Sequence, residues 1–286
     1  MKRSDRRGVA LIFVLWLLVV LGAIVAEVVS QARLEASILT SLRAHTVARY
    51  SAENGIVAAT VRIEALLDST PGMPERINTF AELSARLAPL NEVVLGDGGG
   101  RFGVAVVDLN ARLDLNRTNA ATLQGLFRQF TTDTRAEEVV AHLKDAPVHR
   151  LGELVHISGI NDSLALAVAP YVTVWSDGVV NVNSAPEPVL AALPGVSIAI
   201  VRSVVRRRES GEVFVTTDAV RPQTETPAAP LESAGAGRTL LSVIPSRILI
   251  VSRGWQNGHP LTHEIQAVYR VAGARLMLLA WQERDL

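Results

Sequence analysis

Residues 9–26, VALIFVLWLLVVLGAIVA, run for eighteen positions without a charged or polar side chain. That is close to the roughly 20 apolar residues a helix needs to cross a hydrocarbon core of about 30 Å. The preceding residues 1–8 carry Lys2, Arg3, Arg6 and Arg7 against the single acid Asp5. A basic flank of this kind stays in the cytoplasm and sends the rest of the chain across the membrane. A cleaved secretory signal is the simpler rival. It fits poorly, because the run is long for a signal core, and Ala23 with Val25 or Val25 with Glu27 makes a weak exit site. No turn residue interrupts the passage into Glu27, Val28 and Val29. A retained anchor is expected.

The segment that follows has helical composition. Residues 23–54 contain neither Gly nor Pro. Leu34, Ile38 and Leu42 recur at i, i+4, and Ile56, Ile63 and Leu67 resume an apolar stripe beyond Gly55. Such spacing puts a ridge on one helix face. The expectation is one helix over residues 9–68, about 90 Å long, with Gly55 tolerated inside it.

The whole chain has 286 residues, with 28 Lys+Arg balanced by 28 Asp+Glu, no cysteine and 5% aromatic residues. Disulfides, thiolate metal sites and cysteine nucleophiles are thereby excluded. Zero net charge argues against a whole-molecule grip on nucleic acid. No Walker A motif or serine-nucleophile signature is present, so no catalytic set is proposed. His259 and His263 have i, i+4 spacing, but they fall at a turn before a strand-like run, not on a helix. They are expected to be ordinary surface histidines, and no metal site is assigned.

Beyond the long helix, residues 79–87 look helical and the glycine cluster at 96–100 reads as a turn with no strand before it. Residues 101–109 are strand-like and end in the turn Asp108, Leu109, Asn110, Ala111. An internal repeat comes next. Leu113-Asp114-Leu115-Asn116 with Leu123 and Leu126 recurs as Val180-Asn181-Val182-Asn183 with Leu190 and Leu193, each pair 67 positions apart (113 to 180, 126 to 193). Asn116 and Asn183 precede helical patterns, where an Asn side chain can cap the first turn. Each copy reads as helix, hairpin, helix and a closing segment, with Gly159 and Gly195 at hairpin-like turns. Residues 221–239 are rich in Pro, Ala, Thr and Gly and read as a flexible loop. Residues 246–251, 261–271 and 275–281 are three further strand-like runs, separated by turns around Asn257-Gly258 and Gly273.

Arg7-Gly8 before the apolar run, the continuous helix and the C-terminal head resemble a type IV pilin or pseudopilin. In that family a prepilin peptidase cuts after the glycine, which here implies cleavage between Gly8 and Val9. Most members carry glutamate five residues after the cut, where this chain has Phe13. Its absence, the Arg7-Gly8-Val9-Ala10-Leu11-Ile12 start and Ser51-Ala52-Glu53-Asn54-Gly55 further along resemble the K-type minor pseudopilin of the type II secretion pathway. Phe13 and Glu53 are the helix positions that the resemblance ties to assembly. The repeat, with VNVNSAP at 180–186 and LAALPGV at 190–196, resembles the helix-hairpin-helix (SAM-like) units of that family's head.

The resemblance implies a non-enzymatic subunit of the bacterial inner membrane, single-pass, with a cytoplasmic N-terminus and a periplasmic head. It would cap the tip of the pseudopilus and help to start its assembly. Implied partners are other minor pseudopilins, the prepilin peptidase, the inner-membrane assembly platform and secreted substrates. The expected fold is α+β: a long N-terminal helix packed on a small antiparallel sheet, with an inserted all-α double helix-hairpin-helix domain. The divisions are a leader at 1–8, a membrane segment at 9–26, a periplasmic helix at 27–68, the body at 69–112, the insert at 113–220, the loop at 221–239 and a β part at 240–286.

Helix-hairpin-helix units also bind DNA, so a membrane-anchored DNA receptor is the alternative. Residues 180–220 hold four arginines and four acids, and residues 113–175 hold five basic and seven acidic residues. Neither unit has the cationic excess that phosphate binding needs, and no nucleic-acid partner is expected. Some family members bind calcium. Asp108, Asn110, Asp114 and Asn116 alternate suggestively, but capping and turn roles account for them, and no cofactor is assigned.

Overall fold

A computed structural model describes residues 5–96, 98–220 and 240–286, with side chains from Leu11 onward. The loop expected at 221–239 and the first half of the expected leader lie outside the described residues.

A single helix, α1 (Asp5–Asp68), dominates the N-terminal part. Every residue from 11 to 43 is exposed, and burial starts at Ala44. From there a stripe of Ala44, Ala48, Ala52, Ile56, Ala59, Ile63 and Leu67 is turned inward. The expected ridge therefore divides: Ile56, Ile63 and Leu67 enter the core, while Leu34, Ile38 and Leu42 remain exposed. Alanines fill the rest of the stripe because the sheet comes very close. A Cβ on Gly254 would lie 2.1 Å from the Ala48 carbonyl oxygen, and one on Gly55 would lie 2.1 Å from Ser252 Oγ. Gly55 is thus required by contact, not merely tolerated.

After α1 come α2 (Met73–Ala81) and α3 (Leu83–Arg86), two short helices broken at Glu82 where one had been expected. The sheet has five antiparallel strands in the order β1-β2-β7-β8-β9. These are β1 (Val93–Leu95), β2 (Gly100–Asp108), β7 (Arg247–Gln256), β8 (Thr262–Ala272) and β9 (Arg275–Asp285). The first strand was missed because it is three residues long. Its antiparallel pairing with β2 makes the glycine cluster a hairpin turn, with Gly96 and Gly99 at positive φ. The strand β7 runs five residues past the expected end, since Gly254 continues the ladder while giving the helix room. Phe102, Val104, Ile248, Ile250, Ile265, Ala267 and Tyr269 close the core against α1.

All helical repeats are inserted between β2 and β7, which pair directly at Asp108 and Ile248. The first unit comprises β3 (Leu113–Asp114), α4 (Ala120–Phe127), α5 (Asp133–Asp145), α6 (Asp162–Val168) and β4 (Val172–Thr173). The second comprises β5 (Val180–Asn181), α7 (Glu187–Ala191), α8 (Ile198–Glu209) and β6 (Leu241–Ser242). In each unit the entry strand pairs in parallel with the exit strand, β3 with β4 and β5 with β6. This pairing moves the end of the insert. Leu241 and Ser242, expected in the C-terminal β part, close the second unit instead. Both units share one core. They meet through α4 and α7, where a Cβ on Gly125 would lie 2.7 Å from the carbonyl oxygen of Ala192, its counterpart 67 positions on.

Candidate assembly site

The helix offers the largest uncovered apolar surface among the described residues. Leu11, Phe13, Trp16, Leu17 and Leu21 are all more than half exposed, as are Leu34, Leu39 and Leu42 further along. Its apolar segment has a mean hydropathy of 2.8 with none of it buried, and it is the one helix among the described residues long and apolar enough to cross a membrane. Water does not tolerate that much contiguous apolar area, so the segment needs lipid or other chains around it. Phe13 is 76% exposed and lies within this bare stretch. Gly8 and Val9 lie within the first turns of α1.

Glu53 stands where the helix meets the head. Its carboxylate accepts a hydrogen bond from Arg49 Nε at 3.2 Å, and Arg49 also reaches Glu283 at 3.5 Å. In the neighbouring Ser51-Ala52 and Gly55, small size matters: all three are buried against the sheet. Asn54 is exposed and donates to the Tyr50 carbonyl of its own helix.

In the insert, Asn116 and Asn183 are not helix caps. The α4 cap is Asn119, whose Oδ1 accepts from Thr122 N at 2.8 Å, and α7 begins behind Pro186 without a side-chain cap. Asn116 instead exchanges two 2.8 Å hydrogen bonds with the backbone N–H and C=O of Val148. Asn183 makes the same pair with Phe214, also at 2.8 Å, and donates to the Val243 carbonyl. Each amide ties the start of its unit to the segment after the second helix, 32 or 31 residues on. That distance in sequence is why local capping logic misassigned them.

Gly159 and Gly195 both adopt positive φ, 85° and 80°, the backbone state that favours glycine. They are not repeat equivalents. Gly195 sits between α7 and α8, whereas the matching position of the first unit, Arg128, has φ −58°. Gly159 turns into α6, against Val139 of α5.

The mouth of the insert, where the sequence predicts turn chemistry, holds a buried polar cluster. Asn110 is fully buried. Its Nδ2 donates to Asp177 Oδ1 at 2.8 Å and to the Val179 carbonyl at 2.9 Å. Its Oδ1 accepts from the backbone N–H groups of Ser246 and Arg247, both at 2.9 Å. Asp108 Oδ2 accepts from Asn181 Nδ2 at 2.7 Å and from Ser184 Oγ at 2.5 Å. Burial pushes the Asp108 carboxyl above the ordinary range, against the pull of the Ser184 and Asn181 hydrogen bonds. Asp177 faces the same penalty, yet bonds from Ser246 and Asn110 hold its carboxyl below the ordinary range. These oxygens, together with Asp114 Oδ1 on the Asn116 and Arg117 N–H groups, are engaged within the protein. One signal was available: Asn110 and Asp177 stand 67 apart, the repeat offset itself.

Within the arginine run after Gly195, Arg206 and Arg207 are exposed and Arg208 is half-buried. Arg207 pairs with Glu212 and lies over the Phe214 ring at 4.6 Å. Arg208 donates to the carbonyls of Val182 and Ala185 at 3.0 and 2.6 Å. Arg202 lies 4.0 Å from Glu187. Arg206 donates only to the Arg202 carbonyl of its own helix, and with two of the four arginines facing acids this unit offers little of the cationic excess that phosphate binding needs. The histidine expectation also changes. His263 is not a surface residue but 4% exposed, and it bonds Asp285 at 2.6 Å and Glu283 at 3.3 Å. Partners 22 and 20 residues away, on the adjacent strand, give no local signal.

A long helix, bare along its first part and built into an α+β head along the rest, with a double helical insert, defines a pilin-like architecture whose apolar stem needs lipid or other chains around it. Residues 180–243 match the family model described as Type II secretion system (T2SS), protein K. That span coincides with the second helical unit, from β5 through β6. It names the same family that the sequence resembles. Among solved structures, the chain is similar to one in the crystal structure of the GspK-GspI-GspJ complex from the enterotoxigenic Escherichia coli Type 2 Secretion System. The identity is 16%, with 82% of this chain and 99% of that one covered, at a TM-score of 0.49. No curated protein matches the chain significantly.

Proposed function

We propose that this chain is a K-type minor pseudopilin, a structural, non-enzymatic subunit of a type II secretion machine. The observation that carries the reading is the helix α1: one continuous element that is bare and apolar over residues 11–26 and buried in the head from Ala44. The protein K match over residues 180–243 supports the same family. Residues 9–26 anchor the chain in the inner membrane, with the basic residues 1–8 cytoplasmic and the head periplasmic. Prepilin peptidase removes the leader between Gly8 and Val9. Other minor pseudopilins pack along the exposed helix, whose side chains from residue 11 to 43 are uncovered. Phe13, lacking a carboxylate to engage a next subunit's amine, suits the end of a filament, where the subunit caps the tip and helps start assembly.

The test is processing. N-terminal sequencing of the membrane-derived protein should give a start at Val9, and Gly8→Arg should leave the leader attached. A start elsewhere, or identical mobility in cells with and without the peptidase, would overturn the reading.

A further inference from the structure

We propose that His45, His263 and Asp285 form a binding site for a first-row divalent metal ion of the zinc class, fastening the long helix to the last two strands. The three residues come from α1, the start of β8 and the end of β9, and one ligand atom from each lies within 4.8 Å of the others. His45 Nε2 is 3.3 Å from Asp285 Oδ2. Two ligands of a tetrahedral zinc ion, each bonded at about 2.0–2.1 Å, sit roughly 3.3 Å apart. The His45 and His263 rings meet edge-on, with centroids 5.8 Å apart and planes at 74°, so their nitrogens can converge without the rings stacking.

His263 supplies the second observation. It is buried, and each of its ring nitrogens faces a carboxylate: Nδ1 faces Asp285 Oδ1 at 2.6 Å and Nε2 faces Glu283 Oε2 at 3.3 Å. A neutral imidazole has one N–H. One of these contacts is therefore acceptor against acceptor unless a second proton or a cation stands there. With Nε2–H donating to Glu283, the Nδ1 lone pair is left aimed at Asp285 Oδ1, while His45 Nε2 approaches the other oxygen, Oδ2, of the same carboxylate. A carboxylate behind a ligating histidine fixes the tautomer and orients the ring, as at known metal centres. Glu283 is itself held by Trp281 Nε1 at 2.6 Å and by Arg49 at 3.5 Å. Arg49 also engages Glu53, so Glu53 and Glu283 share one cation, and Asp285 is the carboxylate that both histidines face. The Asp285 side chain is 51% exposed, which leaves a solvent side for entry and for a water in the fourth position. Two imidazoles with one carboxylate suit zinc-class ions rather than calcium or magnesium, which take oxygen ligands. The site lies where α1 passes from its bare part into the head, and it does not depend on the secretion assignment.

The experiment uses the full-length chain in detergent, purified without a polyhistidine tag and stripped with a chelator. Zn2+ is titrated against a competing chelator, and Co2+ is followed by its visible absorption. One saturable equivalent is expected, with four-coordinate Co2+ bands. Zn2+ at roughly a hundredfold excess over its dissociation constant should raise the melting temperature by about 5 °C. His45→Gln and Asp285→Asn should each weaken binding at least tenfold while the metal-free proteins melt near wild type, and His259→Gln should bind normally. Absence of a saturable equivalent, or unchanged affinity in both His45→Gln and Asp285→Asn, overturns the proposal and leaves the cluster as an ion-pair network only.

Discussion

Asn110 sits at the one place where the body and the insert must agree. It is the second residue after β2, and its carboxamide oxygen takes the two backbone N–H groups that begin the return through Ser246 and Arg247. The same amide donates to Asp177 and to the Val179 carbonyl, at the junction of the two helical units. Truncation would leave several buried donors and acceptors unpaired, each worth about 1–3 kcal/mol. Asn110→Ala should therefore lower stability by about 3 kcal/mol or more in a denaturant melt. Asn54→Ala, which removes one bond on an exposed helix face, should stay within about 0.5 kcal/mol of wild type. Equal losses in the two variants would show that Asn110 is not a keystone. Asn116 and Asn183 act in the same way within each unit, locking a start segment to a backbone about thirty residues on. Their shared role was visible as a repeated residue but not as a repeated bond, because the bond partner is a backbone group and leaves no mark in the sequence.

Elements whose signal is local were readable from sequence. The helix from 9 to 68 follows from composition and the lack of breakers, and β8 and β9 follow from alternation between glycine turns. Elements that depend on a distant partner were not. The two-residue strand β6 exists because β5 offers it an edge, and β1 exists because β2 does. Likewise the His45–His263–Asp285 cluster joins residues far apart in the chain, and no spacing rule connects them. The β8–β9 turn gives a testable case of such a distant tie. Glu64 of α1 accepts from Leu276 N at 2.9 Å and from Arg275 Nη1 at 3.0 Å. The Leu276 hydrogen bond, opposed by partial burial and aided by Arg275, holds the Glu64 carboxyl below the ordinary range. A depressed folded-state value means that this tie stabilises the protein above the unfolded-state value of about 4.3. The stabilisation is lost as the pH falls through the lower folded value. Glu64→Gln should accordingly melt below wild type at pH 7, with the gap closing as the pH is lowered below about 4. A gap that is constant across this range would contradict the tie.

For the molecule as a whole, α1 divides at Ala44 into two parts with different solvents. Residues 44–67 bury a stripe in the head, whereas residues 11–43 are exposed throughout. The apolar run ends at Ala26, so membrane lipid accounts for the first part of the bare stem but not for Leu34, Ile38 and Leu42. These side chains are 61%, 50% and 59% exposed and step along one face. If neighbouring subunits cover that face, a charge placed there becomes buried and unpaired on assembly, at a penalty of several kcal/mol. It touches nothing in the isolated chain. Ile38→Lys should therefore leave the melting of the head unchanged and the membrane fraction intact. It should lower co-isolation of other pilin-like subunits from cross-linked membranes at least ~tenfold, equivalent to about 1.4 kcal/mol. Thr40 lies about 200° round the helix from Ile38 and bonds only the Ala36 carbonyl of its own helix. Thr40→Lys carries the same charge on the other face and should assemble as wild type does. Two results contradict the picture of a stem covered on one face: co-isolation unaffected by Ile38→Lys, or equal loss in both variants.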